Sequence, residues 1–173
     1  MIENRLKQIK MVLLDVDGVL TSGEIIYSDS GDQIKIFDVK DGVGIRLLKE
    51  AGIKVGIITG RKGRALHHRC QNLGIDVVFD GIRNKDQALE KIAALTGIDA
   101  QAIAFVGDDL PDLPVMKRVG LAVAVADAHE IIRQRAHIVT RAKGGRGAVR
   151  EISETILKTQ GVWDDLIRRL FDG

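Results

Sequence analysis

Short segments that are apolar at every position are the feature of this sequence that most restricts its fold. The segments "VLL", "VGII" and "AIAFV" lack the apolar–polar alternation of a strand with one face in water. Strands of this kind are usually buried on both faces, as in a parallel sheet covered by helices. The predicted strands are Met11–Asp15, Ile25–Tyr27, Ile34–Asp38, Lys54–Thr59, Val77–Phe79, Ala102–Gly107, Leu121–Val125 and His137–Thr140.

Longer amphipathic segments lie between these strands. Their spacing predicts the helices Gly42–Ala51, Gly63–Leu73, Lys85–Thr96, Leu110–Arg118, Ala128–Gln134 and Ala148–Thr159. Alternating strands and helices indicate an α/β fold with a three-layer, Rossmann-like parallel sheet. Two strand-like runs around "SDSGDQ" interrupt the alternation and predict a β-hairpin inserted after the first strand. The segment "WDDLIRRLF" near the end has helical spacing and predicts a short terminal helix.

The composition indicates one globular domain spanning residues 1–173 and excludes several classes of protein. A net charge of +2 and six scattered aromatic residues provide neither the basic surface nor the stacking platform of a nucleic-acid-binding protein. No segment approaches the roughly 20 apolar residues of a membrane helix. The first apolar run is interrupted by Asp15 too early for a signal peptide. With Cys70 as the only cysteine, we expect a cytoplasmic protein without disulfides.

Polar residues of types that can catalyse reactions or bind ligands stand at the ends of three predicted strands. Asp15 and Asp17 end the first strand, Thr59 ends "VGIIT", and Asp108 follows "AIAFVG". Lys85 opens a predicted helix. Ligands of open α/β sheets bind outside the carboxyl ends of the strands. We therefore expect these five side chains to meet at one edge of the sheet.

The residue types at this edge indicate phosphoryl transfer. Asp15, Asp17 and Asp108 would concentrate negative charge that only a bound cation can relieve, and carboxylate oxygens suit Mg²⁺. The Thr59 hydroxyl and the Lys85 ammonium can hold a phosphoryl group. A carboxylate can be the nucleophile, forming an aspartyl-phosphate, and Asp17 can act as general acid and base.

Two simpler explanations of the acids are weaker. A calcium-binding EF-hand loop needs glycine at its sixth position, whereas Gly18 is fourth in "DVDG". A single strand-end acid is often only a helix cap or a turn former. Three clusters at three predicted strand ends favour a functional site instead.

These residues resemble the haloacid dehalogenase superfamily of phosphohydrolases. Its four motifs stand in order as "DVDGVLT", "IITGR", a lysine at Lys85 and "VGDDLPD". The resemblance implies that Asp15 is the nucleophile, Asp17 the general acid and base, and that Thr59 and Lys85 hold the phosphoryl group. It also implies Mg²⁺ ligands at Asp15, Asp17 and Asp108. Because the intervals between the motifs are short, the family's cap domain is expected to be absent.

A narrower resemblance covers about Leu6 to Gln160. The runs "FDVKDGVGIRLL", "IITGRKGRALHHRC" and "VTRAKGGRGAVREI" are similar to those of phosphatases acting on 3-deoxy-D-manno-octulosonate 8-phosphate in lipopolysaccharide synthesis. The resemblance implies a Mg²⁺-dependent homotetramer, in which the hairpin is a candidate contact between subunits. It also implies substrate contacts at Asp17, Asp38, Val39, Lys40, Asp41, Gly42, Arg46, Arg61, Arg69 and Lys85.

Several alternatives remain open at this stage. The same chemistry could act on a nine-carbon, sialic-acid-type 9-phosphate. A phospho-receiver domain is disfavoured by the order of its motifs, and nothing in the sequence supports a catalytically dead binding domain. The loop "GGRG" could bind an anion through its backbone N–H groups or be a plain turn. The four histidines lack the spacing of metal ligands, and Cys70 is expected to be buried and inert.

Overall fold

A computed structural model describes residues 2–172 and contains a six-stranded parallel sheet with a separate two-stranded hairpin. The strands are β1 (Met11–Leu14), β2 (Ile26–Tyr27), β3 (Gln33–Ile34), β4 (Lys54–Ile58), β5 (Val77–Phe79), β6 (Ile103–Gly107), β7 (Leu121–Ala124) and β8 (Ile138–Val139). The order across the large sheet is β5-β4-β1-β6-β7-β8, and β2 pairs with β3 antiparallel. The central strands β1 and β6 are buried at every position, as their unbroken apolar sequences predict.

Helices cover the sheet as two groups. They are α1 (Ile2–Gln8), α2 (Val39–Glu50), α3 (Arg64–Leu73), α4 (Lys85–Thr96), α5 (Leu113–Met116), α6 (Glu130–Arg135), α7 (Ala148–Thr159) and α8 (Trp163–Phe171). In one group α1, α2 and α8 pack on α7, and α3 packs on α2; in the other, α5 packs on both α4 and α6. The predicted three-layer α/β fold with an inserted hairpin is therefore confirmed, and so is the terminal helix. None of the helices in residues 2–172 has the length and apolar character needed to cross a membrane.

Three local predictions need correction. The predicted helix Leu110–Arg118 is a 3₁₀ turn at Leu110–Asp112 followed by the short α5, with proline in the first turn of each. Proline has no backbone N–H to continue a helical ladder, so one long helix does not form. The predicted strand Ile34–Asp38 is strand only at Ile34, because Asp38 caps α2 by accepting a hydrogen bond from Lys40 N. The first helix, α1, is an addition to the predicted elements. It buries only Leu6, and one buried residue gives no apolar face from which a helix could be predicted.

The strand register brings the chemically active residues together. Leu14 of β1 is level with Ile57 of β4 on one side and with Val106 of β6 on the other. Each strand therefore ends at the same edge of the sheet. The residues that follow each strand, beginning with Asp15 after β1, therefore lie close together beyond this edge.

Candidate active site

A cleft of about 350 Å³ lies at the carboxyl edge of β1, β4 and β6. Its lining includes Asp15, Asp17, Thr59, Lys85 and Asp108, all five of the side chains expected there. Arg61, a predicted substrate contact, also lines the cleft.

Lys85 forms the centre of a buried charge cluster. Its side chain is 4% exposed, and Nζ lies 2.8 Å from Asp15 Oδ1 and 2.6 Å from Asp112 Oδ1. Burial alone would lower the pKa of Lys85, but the two carboxylates outweigh burial and raise it. The lysine is therefore a permanent cation fixed beside the expected nucleophile.

The carboxylates of the cleft are crowded enough to resist ionisation. Burial raises the pKa of Asp15 to about 6, although Lys85 opposes the rise. Burial, followed by the charges of Asp15 and Asp112, raises the pKa of Asp108 to about 8. A bound cation would remove this penalty, because it favours the charged form of each acid.

The donor set fits a divalent cation. One oxygen from each of Asp15, Asp108 and Asp112 can be chosen so that all three lie within 4.8 Å of one another. Asp112 is already committed, because Oδ1 accepts from Lys85 and Oδ2 accepts from the backbone N–H groups of Asp108 and Asp109. Asp15 contacts Lys85 through Oδ1 only, so Asp15 and Asp108 are the carboxylates of the set that are less committed than Asp112. A hard oxygen site of this kind suits Mg²⁺.

Glycine allows the two strand ends to approach. Gly18 has φ +89°, and a Cβ there would lie 1.9 Å from Asp108 Oδ2. A side chain at Gly18 would therefore displace the carboxylate. Thr21 supports the same loop by accepting from the Gly18 and Gly23 N–H groups.

The "GGRG" loop, residues 144–147, packs against the loop that follows Asp17. Gly144 N donates to Asp127 Oδ1, Gly145 N donates to Val19 O, and Gly147 N donates to Asp41 Oδ2. Because these N–H groups already have protein acceptors, they are not available to an anion. The structure favours the plain-turn interpretation of the loop.

Asp17 is held by two cations, one of which the sequence analysis missed. Lys35 Nζ donates to Asp17 Oδ1, and Arg61 Nε lies 3.7 Å from Asp17 Oδ2. Lys35 belongs to no recognised motif. The available signal was the alternation in "QIKIF", which places Lys35 and the two isoleucines on opposite faces of an extended segment.

The remaining predicted substrate contacts lie outside this cleft. Asp38 caps α2, Val39 is 73% exposed, and Lys40 and Arg46 are exposed. Asp41 is buried, and its Oδ1 accepts a hydrogen bond of 2.8 Å from Arg150 N. Asp41 therefore caps the first turn of α7. Arg69 donates to Asp38 O at 3.2 Å and lies against Gly42.

The histidines and the cysteine have local contacts of their own. His67 Nε2 is 2.9 Å from Asp80, His129 Nδ1 accepts from Ile131 N, and His137 Nδ1 accepts from Ala122 N. Cys70 is buried, and burial raises the pKa of its thiol to about 11, so it is not a nucleophile.

Comparisons with known proteins identify the family. The haloacid dehalogenase-like hydrolase family model matches residues 75–152. The 3-deoxy-D-manno-octulosonate 8-phosphate phosphatase KdsC of Escherichia coli K12 is 46% identical over 159 residues, which are 92% of this chain and 85% of the relative.

Solved structures agree with this match. The phosphatase of that name from Yersinia pestis superposes with a TM-score of 0.92 at 44% identity, covering 94% of this chain and 88% of the other. The one from Moraxella catarrhalis, in complex with magnesium, phosphate and KDO, gives 0.94 at 39% identity and covers 97% of both chains. The chain therefore belongs to the 3-deoxy-D-manno-octulosonate 8-phosphate phosphatase family of haloacid dehalogenase-like hydrolases.

Proposed function

We propose that the protein hydrolyses 3-deoxy-D-manno-octulosonate 8-phosphate to the free sugar acid and phosphate, as a step of lipopolysaccharide biosynthesis. The observation that carries the proposal is the convergence of Asp15, Thr59, Lys85 and Asp108 in one cleft. Similarity along nearly the whole chain to phosphatases of that name indicates the substrate.

The reaction proceeds in two steps through the two acids of the first motif. A carboxylate oxygen of Asp15 attacks phosphorus while the bond to the sugar oxygen breaks, and Asp17 gives that oxygen a proton. Water then attacks the phospho-aspartate, the bond between Asp15 and phosphorus breaks, and Asp17 takes the proton from water. Thr59 and Lys85 hold the phosphoryl oxygens throughout.

Mg²⁺ is the cofactor of this reaction. Asp15, Asp108 and the backbone carbonyl of Asp17 would hold it. Bound there, it supplies positive charge to the phosphoryl oxygens. Asp112 does not need to bind the ion, because its carboxylate holds Lys85 and the turn that carries Asp108.

A homotetramer is the second part of the proposal. The hairpin and its flanks expose a series of large apolar side chains: Ile25 45%, Tyr27 61%, Ile34 47%, Ile36 63% and Val39 73%. Such a patch is typical of a subunit interface. The predicted substrate contacts Asp38–Gly42 and Arg46 include or follow the last residue of this patch, Val39, and Arg69 contacts Asp38 O. Because they lie outside the chain's own cleft, we propose that they reach the substrate of a neighbouring subunit.

Sedimentation equilibrium tests the assembly. Ile36→Lys should dissociate the tetramer, because it places a charge in the apolar patch. Leu95→Lys is the matched control, since Leu95 is 70% exposed on α4 and away from the hairpin. A tetramer that survives Ile36→Lys, or a monomeric wild type, would exclude the hairpin interface.

We also infer that residues 1–173 form one cytoplasmic domain. A single cluster of buried apolar residues extends through all three layers, which supports one folding unit. The buried, unpaired Cys70 is compatible with a reducing compartment. Limited proteolysis and cell fractionation test the two statements.

Phosphate release from a panel of sugar-acid phosphates tests the activity. The eight-carbon 8-phosphate should be preferred, and turnover should be lost with EDTA and in Asp15→Asn. Asp99→Asn is the control, because Asp99 caps a 3₁₀ turn at the opposite edge of the sheet and asparagine caps equally well. Preference for a nine-carbon 9-phosphate would keep the mechanism but change the substrate assignment. Absence of any Mg²⁺-dependent phosphate release would contradict the proposal.

A further inference from the structure

The hairpin turns a lysine inward and its isoleucines outward. Ile34 and Ile36 are 47% and 63% exposed, whereas the side chain of Lys35 is only 4% exposed. Residues of an extended segment alternate between two faces, so Lys35 faces the body of the protein. A buried ammonium is costly unless an acid compensates it. The position of Lys35 therefore requires a specific partner.

That partner is Asp17. Lys35 Nζ donates to Asp17 Oδ1, and no other carboxylate of residues 2–172 lies within ion-pair distance of Lys35. Arg61 also faces Asp17, but at 3.7 Å and with a side chain 49% exposed. An exposed ion pair contributes little to fixing a side chain. Lys35 is therefore the principal restraint on the Asp17 carboxylate.

The backbone around Asp17 cannot supply this restraint. Asp17 lies beyond the end of β1, in a turn in which Gly18 has φ +89°. A side chain in such a loop can adopt several rotamers unless packing or a hydrogen bond selects one. Acid–base catalysis needs the carboxyl group within hydrogen-bond reach of both the leaving oxygen and the attacking water.

The hairpin holds Lys35 in place from both sides. Gln33 lies against Gly63, because a Cβ built on Gly63 would be 3.2 Å from Gln33 Oε1. Phe37 packs against the core, and the Arg69 guanidinium lies over its ring at 5.7 Å. Lys35 stands between these two contacts. Contacts on both sides of Lys35 thus connect this segment to the body of the protein.

We infer that Lys35 is a positioning residue for Asp17: it holds Oδ1 so that Oδ2 exchanges the proton with the leaving oxygen and then with water. The inference rests on the proposed function, and in particular on Asp17 as the general acid and base. It assigns the hairpin a role within its own subunit, separate from subunit contacts. Lys35 does not itself exchange a proton with the substrate.

Leaving-group dependence distinguishes this role from general damage. Lys35→Met removes the charge at nearly constant volume, and Lys35→Arg retains the charge. Lys10→Met, an exposed lysine at the opposite edge of the sheet, controls for loss of a charge. Each variant is studied in single turnover with the sugar-acid phosphate and with p-nitrophenyl phosphate, whose leaving group needs no proton.

In Lys35→Met, phosphoryl transfer from the sugar-acid phosphate should slow by about 100-fold, the usual scale of general acid catalysis. Transfer from p-nitrophenyl phosphate should stay within about threefold, since it does not need the acid. With p-nitrophenyl phosphate in excess over enzyme, a burst of nitrophenolate should precede slow turnover and phospho-Asp15 should accumulate, because the second step still needs the base. Lys35→Arg should recover part of the loss, and Lys10→Met should behave as wild type.

Three results would overturn the inference. Equal slowing with both substrates would indicate general damage, and a raised KM with unchanged kcat would make Lys35 a substrate contact. Wild-type rates in Lys35→Met would show that Asp17 needs no restraint. A wild-type protein without Mg²⁺-dependent turnover is a separate result, because it rejects the proposed function itself and this inference with it.

Discussion

Lys85 Nζ lies 2.8 Å from Asp15 Oδ1, where the first turn of α4 meets the end of β1. The contact joins the expected nucleophile to the expected phosphoryl-binding cation before any substrate is present. With both side chains almost completely buried, neither can move far from the other. The reacting phosphorus must therefore enter a site whose charges are already in place.

Replacing Lys85 with methionine should lower kcat by about 100- to 1,000-fold, the scale of losing one buried donor to a developing charge. It should also destabilise the fold by about 3 kcal/mol, because Asp15 and Asp112 lose their shared counter-charge. Steady-state kinetics and urea unfolding measure the two effects. Lys91→Met, on the exposed side of the same helix, should change neither. Full activity in Lys85→Met would exclude the lysine from phosphoryl binding.

Asp112 should matter for stability more than its distance from the substrate indicates. Its two oxygens accept from Lys85 and from the Asp108 and Asp109 N–H groups, so Asp112→Asn turns one amide N–H₂ toward another donor. We expect a loss of about 1 to 3 kcal/mol in the free energy of unfolding. Asp109→Asn preserves its helix cap and should be near neutral. Equal stability of the two variants would contradict this account.

The sequence predicted the catalytic residues better than the residues that hold the site in place. Asp15, Thr59 and Asp108 could be placed together because parallel strands in register end at one edge of a sheet. Lys35 was missed, because isoleucines beside a lysine normally indicate that the lysine faces water. Here the isoleucines are exposed and the lysine is buried. This reversal of the usual pattern arises from the long-range contact between Lys35 and Asp17, which the local sequence does not reveal. The same limit applies to Asp41, whose role as a cap of α7 joins residues about 100 positions apart.

Magnesium should stabilise the protein more at pH 8 than at pH 5.5. The pKa values of Asp15 and Asp108, about 6 and about 8, are raised in the metal-free fold, so the folded state binds more protons than the unfolded chain between about pH 4 and pH 8. The contribution of these two carboxyl groups to metal-free stability therefore falls as pH rises through that window. Mg²⁺ at 100 times its Kd adds about 2.7 kcal/mol, or roughly 5 to 10 °C in Tm.

Differential scanning calorimetry with Mg²⁺ and with EDTA measures this difference. At pH 5.5 protons compete with the ion for the carboxylates, so the increase in Tm should be much smaller. Asp108→Asn should reduce the Mg²⁺ effect at pH 8. An increase in Tm independent of pH would mean that the ion binds elsewhere.

Gly144→Ala should impair catalysis without touching substrate. A Cβ at Gly144 would lie 1.7 Å from Gly18 O, so the loop that carries Asp17 must move. A displacement of about 1 Å near reacting groups can cost about 100-fold in rate, and we expect kcat to fall by that order. Gly161→Ala is the control: Gly161 has φ +74° with open space around it, so alanine costs only about 1 kcal/mol of backbone strain. Gly144→Ala with wild-type kcat would show that the "GGRG" loop does not position the catalytic acids.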